Sequence, residues 1–140
     1  MKTILVCLDT SPRAEKVLAT ATDFARRSSA RLTLFRSVGV PPEIAQEEVI
    51  GMAPKTLSER LVASAKQSLL RLSEEVPTEL LAAVDVKVGI PWDAICEEAK
   101  RVKADLIIVG SHGYGTLDRI LGTTAAKVVN HAECSVMVVR

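Results

Sequence analysis

Aromatic residues make up only 3% of this 140-residue chain: one Trp, one Tyr and two Phe. A protein that grips single-stranded nucleic acid stacks successive bases on aromatic rings, so that mode is excluded. A charge excess is missing as well, with 18 basic residues against 17 acidic ones and a net charge of +1. Without a basic surface, no nucleic-acid partner is expected. The three cysteines, Cys7, Cys96 and Cys134, stand far apart with no CxxC pair, which leaves no zinc knuckle and no redox dithiol. A reducing compartment is the simplest setting for them. No apolar run approaches the roughly 18 residues of a membrane-spanning helix. The opening run stops at Asp9, too early for a signal-peptide core. A cytoplasmic protein with no membrane partner is therefore expected. Internal repeats and low-complexity tracts are also missing.

What is present fits an ordinary folded domain. Hydrophobic residues are 48% and charged residues 25%, the balance of a soluble globular protein. A chain of this length suits one domain, residues 1–140, around one core. The run from Thr3 to Leu8 is short and continuously apolar, as a strand buried on both faces should be. Ser11 followed by Pro12 reads as an N-cap with proline in the first helical position. Ala14, Val17, Leu18, Ala21 and Ala25 follow at helical spacing. Leu32 to Val38 is a second strand. Gly39 to Pro54 carries three prolines and two glycines, which predicts a long, mobile connection. A second helix bears Leu57, Leu61, Ala65, Leu69 and Leu72. Val84 to Val88 is a third strand whose Asp85 and Lys87 alternate outward, the pattern of a sheet edge. A third helix follows Pro91 and carries Ile95, Ala99 and Val102. Leu106 to Val109 is wholly apolar and hence central. A fourth helix carries Leu117, Leu121, Ala125 and Val128, and Val136 to Val139 is the last strand. Strands alternating with helices make a parallel α/β sheet with helices on both faces. Right-handed crossovers then bring all strand carboxyl ends to one edge, where ligands bind in such sheets.

The strongest local signal is Gly110-Ser111-His112-Gly113-Tyr114-Gly115, directly after the most apolar strand. Glycines there let backbone N–H groups turn toward an anion. Gly122-Thr123-Thr124 lies at or inside the next helix and offers small residues and hydroxyls to a phosphate. Neither a Walker-type P-loop nor a GxGxxG fingerprint is present. On glycine spacing alone, a tight strand-to-helix turn explains the loop equally well.

Four segments taken together are more specific: Ile4-Leu5-Val6-Cys7-Leu8-Asp9-Thr10-Ser11, Val88-Gly89-Ile90-Pro91, Ala104 to Gly113, and Ser135 to Val139. With them the chain resembles the universal stress protein family over essentially its whole length. The resemblance implies a Rossmann-like sheet of five strands in the order 3-2-1-4-5. Its nucleotide-binding branch carries G-x2-G-x9-G-[ST] and binds ATP. Gly110, Gly113, Gly122 and Thr123 match the residue types, but eight residues separate Gly113 from Gly122 where the pattern has nine. Either the loop is one residue shorter, or a threonine takes the place of the third glycine. By resemblance Asp9, with Thr10 beside it, faces the ribose and Ser37 lies by the adenine. Gly110 approaches the ribose, and Gly113, Gly122, Thr123 and Thr124 surround the phosphates; His112 in the same loop could hydrogen-bond phosphate. The implied ligand is ATP or AMP, with Mg²⁺ as an optional companion, and the implied assembly is a homodimer through Val136 to Val139, serving an unidentified signalling partner.

Plainer roles stand beside these. Asp9 can simply cap the loop before the first helix, and His112 can brace its own loop. His131 suits a helix C-terminus. Cys7 and Cys96 suit packing. Trp92 either packs the third helix or lines the crevice. Three functions compete: a non-catalytic adenine-nucleotide-binding stress or signalling module, a slow ATPase or phosphotransferase, and a dimeric interaction protein that binds no nucleotide. No general base beside the loop and no carboxylate pair for Mg²⁺ is legible, which weighs against the enzyme.

Overall fold

The computed structural model describes residues 2–39, 56–111 and 121–140. Most of the expected Gly39–Pro54 connection, and His112 to Ile120, lie outside the described residues. Five strands, β1 (Thr3–Cys7), β2 (Arg31–Val38), β3 (Leu81–Val88), β4 (Leu106–Gly110) and β5 (Ser135–Val139), form one sheet in the order β3-β2-β1-β4-β5. Every pairing is parallel. Among the described residues the four α-helices are α1 (Ala14–Ser28), α2 (Thr56–Ser73), α3 (Pro91–Arg101) and α4 (Thr123–His131).

The two-residue period of the strands sorts their side chains into two apolar layers. Ile4, Val6, Leu32, Leu34 and Ile108 face one layer together with Val17, Leu18, Ala21 and Ala25 of α1 and Leu69 of α2. Leu5, Phe35, Ile107 and Val109 face the other, against Ile95 and Ala99 of α3 and Ala125 and Val128 of α4. The central strands β1 and β4 are thus apolar on both faces, as their unbroken runs predict. Asp105 fixes where β1 enters the sheet: its carboxylate accepts the Lys2 and Thr3 N–H groups at 2.8 and 2.9 Å. Those two donors hold its carboxyl below the usual aspartate range.

Three boundaries differ from the sequence reading. α1 begins at Ala14 with Arg13 at the cap, and Ser11 Oγ accepts the Arg13 N–H at 3.3 Å, so Ser11-Pro12 forms the turn before the helix. β3 starts at Leu81, three residues before Val84, because pairing to β2 reaches back to Leu32. α4 starts at Thr123 with Gly122 as its N-cap, which leaves Leu121 ahead of the helix.

β3 is an edge strand, and its charged residues meet α3 instead of standing free. Glu98 is buried, and Arg101 grips its carboxylate through two bonds of 2.8 and 2.7 Å while also reaching Asp85 at 2.9 Å. The Arg101 fork is the main reason the Glu98 carboxyl sits below the usual glutamate range. Asp85 is raised, first by burial and then by sharing a proton with Glu98. The two run oppositely with pH. Glu98 contributes stability above its ordinary value and loses it as pH falls through the depressed one. Asp85 favours the fold at low pH and fades as pH climbs through its raised value. Replacing Arg101 with Met leaves a buried carboxylate without its strongest partner. Urea titrations are expected to show a larger loss of stability at pH 7 than at pH 4, where Glu98 can accept a proton. Equal losses at both pH values would contradict this role.

Candidate functional site

A cavity of about 300 Å³ opens at the carboxyl edge of the sheet, at the small end of the roughly 300–1,000 Å³ range of ligand pockets. It lies where β1 and β4 run side by side and the chain order reverses. After β1 the chain moves toward β2, and after β4 it moves toward β5, so the loops leaving the two strands part and a crevice remains. Its floor is Cys7, Leu8, Phe35, Val109 and Gly110. Burial pushes the Cys7 thiol well above the ordinary cysteine range, so it stays protonated and is no nucleophile.

Three helices begin at this crevice. Arg13 and Ala14 at the start of α1, Pro91 at the start of α3, and Gly122, Thr123 and Thr124 at the start of α4 all line it. Each helix start carries the positive end of its dipole and N–H groups that its own turns cannot use. Two guanidinium-bearing residues, Arg13 and Arg36, add to that field, and Asp9 is the only carboxylate residue among the described lining residues. The combination favours an anion with a hydroxyl-bearing part near Asp9.

Asp9 is held by its own turn. Its Oδ1 accepts the Ser11 N–H at 2.9 Å, so the loop-capping role is real and sits alongside whatever else the carboxylate does. The start of α4 is tied to the sheet through backbone groups. The Gly122 N–H donates to the Ser111 carbonyl at 2.6 Å, and the Ser111 N–H donates to the Val139 carbonyl at 2.7 Å. Ser111 thereby ties the end of β4 to β5 and to the start of α4. Gly122, not Thr123, stands at the cap.

Of the residues singled out in the sequence, Asp9, Ser37, Gly110, Gly122, Thr123 and Thr124 line one cavity. Thr10 is exposed beside Asp9 but does not line it. His112 and Gly113 lie outside the described residues. Trp92 does not line the crevice; it stacks on His131 with ring centroids 4.5 Å apart, and the Lys127 ammonium lies 5.7 Å over its ring. Sequence reasoning missed Arg13 and Arg36. The available signal for Arg36 was a charge inside an otherwise apolar strand, where a buried guanidinium must find acceptors.

This geometry defines a Rossmann-like α/β fold with a cavity at the strand-order reversal. The universal stress protein family model matches residues 1–140. A universal stress protein of Synechocystis sp. is 31% identical over 98% of this chain and 96% of its own length. The solved structure of the universal stress protein UspA from Lactobacillus plantarum is 30% identical, with a TM-score of 0.74 over 99% of this chain and 97% of that one. A universal stress protein solved in complex with cAMP is 25% identical, with a TM-score of 0.65 over 99% of this chain and 96% of that one. The chain belongs to the universal stress protein family.

Proposed function

We infer that the protein is an adenine-nucleotide-binding module of the stress-response or signalling type, working as a homodimer. The observation that carries this reading is the meeting of three helix N-termini with Asp9 in one cavity at the strand-order reversal. In this reading the base lies by Ser37 at the end of β2, and the ribose hydroxyls donate to Asp9. The phosphates lie at Gly122, Thr123 and Thr124. A carboxylate suits hydroxyl donors and repels phosphate, so Asp9 fixes which end of the ligand lies where. Relatedness to a protein solved with cAMP supports the ligand class. The lining chemistry favours binding over turnover: Asp9 is the one carboxylate among the described lining residues, and it is committed to the ribose.

Calorimetry tests this. Wild-type protein is expected to bind ATP or AMP, and Asp9→Ala to weaken binding by roughly 10- to 100-fold, the cost of one or two charge-assisted hydrogen bonds. No binding heat for the wild type at millimolar ATP or AMP would overturn the reading.

A further inference from the structure

Among the described residues Arg36 is the one Arg or Lys buried in the body of the fold, only 7% exposed, and it lines the cavity. It follows Phe35 on β2, so the strand alternation turns it to the α1–α2 face. There its guanidinium bonds three acceptors among the described residues. Nε donates to the Leu8 carbonyl at 2.8 Å, Nη2 to the Asp9 carbonyl at 3.1 Å, and Nη1 to Ser68 Oγ of α2 at 3.0 Å.

Two of these acceptors are consecutive carbonyls of the loop that carries Asp9. Binding both with one rigid planar fork fixes the orientation of two successive peptide units. The Asp9 side chain is fixed separately by the Ser11 N–H at 2.9 Å. With the main chain held from the β2 side and the carboxylate held from the α1 side, Asp9 has one aim. The third bond, to Ser68, ties that aim to the position of α2.

We propose that Arg36 is the positioning residue that sets ribose recognition: by holding the Leu8 and Asp9 carbonyls from β2, it points the Asp9 carboxylate at the sugar hydroxyls, with Ser68 of α2 as its brace. This rests on the nucleotide reading above. Nothing in it requires Arg36 to touch the ligand. Lysine keeps the charge but lacks the planar fork, so it cannot hold both carbonyls in the same geometry.

The experiment compares ATP with 2′,3′-dideoxyATP, which lacks both sugar hydroxyls, in wild type, Arg36→Lys and Ser68→Ala, with a thermal melt of each. Wild type is expected to prefer ATP by on the order of 10-fold or more, since a site built to accept a hydroxyl rejects the analogue without it. Arg36→Lys is expected to bring that ratio close to one through loss of ATP affinity, with dideoxyATP binding little changed. Ser68→Ala is expected to shift the ratio the same way by a smaller factor, and carries the test if Arg36→Lys does not fold. A merely structural arginine would weaken both ligands alike; an unchanged ratio in the folded variants overturns the proposal. If wild type binds both nucleotides equally, Asp9 does not read the ribose and the proposal fails while nucleotide binding stands. If wild type binds neither, the nucleotide reading fails and takes this proposal with it.

Discussion

At tens of micromolar the wild-type protein is expected to sediment as a dimer, and Val138→Lys and Val138→Pro as monomers. β5 lies at one edge of the sheet, paired only to β4. Its apolar residues Val136, Met137 and Val138 are half-buried, and no proline or inward charge blunts the strand. The Val139 carbonyl accepts the Ser111 N–H at 2.7 Å, so Val139 turns its backbone groups toward β4. Counting back by two, Met137 does the same, whereas Val136 and Val138 turn theirs outward. Proline at Val138 therefore removes an outward donor, while proline at Met137 would break the subunit's own ladder. The opposite edge is guarded: the Lys66 ammonium occupies the Val84 carbonyl of β3, and Asp85 and Lys87 place charge there. Strand pairing between two copies of β5, antiparallel across a two-fold axis, closes the assembly without leaving a repeating edge. A lysine or proline at Val138 is expected to raise the dimer dissociation constant about 100-fold or more, roughly 3 kcal/mol. Light scattering checks it. A wild-type monomer would refute the dimer, and unchanged dimers in both variants would refute this interface.

Gly122→Asp is expected to abolish ATP binding while leaving the fold as stable as before or slightly more so. Gly122 is the N-cap of α4, with φ −65° and ψ 159°, a conformation open to any residue. Aspartate is among the preferred N-caps, and its carboxylate complements the helix dipole by about 0.3–1 kcal/mol. In the proposed complex the same spot holds the phosphates. A fixed negative charge there repels polyphosphate and competes for the N–H groups that should receive it. A loss of at least 100-fold in ATP affinity is expected, about 3 kcal/mol. Calorimetry beside a thermal melt separates binding from folding. A stable variant that still binds ATP with wild-type affinity would show that the phosphates do not lie at α4.

Most of the strand and helix assignments were legible because burial on two faces leaves a mark in the residues. Leu5, Ile107 and Ile108 could only belong to central strands, and Ala14 to Ala25 repeat at the helical period. Strand order, by contrast, came through family resemblance; no run of residues states which strand pairs with which. That Asp9 and Gly110 line one crevice was legible because the carboxyl ends of parallel strands share one edge, whereas Gly122 came through the family's glycine pattern. Arg36 and Ser68 were not, since nothing in either segment says that a strand residue will reach past its neighbours to a hydroxyl on α2. The same holds for Ser111, whose backbone ties β4 to β5 and to the start of α4. The start of α4 was misplaced because Leu117 and Leu121 continue the helical spacing upstream of Gly122, and periodicity alone does not mark a cap.

The most direct test of the nucleotide site is a crystal structure of the wild-type protein grown with millimolar ATP. The account predicts an adenine beside Ser37, ribose hydroxyls within hydrogen-bond reach of the Asp9 carboxylate, and phosphates beside Gly122 at the N–H groups of Thr123 and Thr124. An empty crevice at that concentration, or a nucleotide bound with its phosphates toward Asp9, would contradict it.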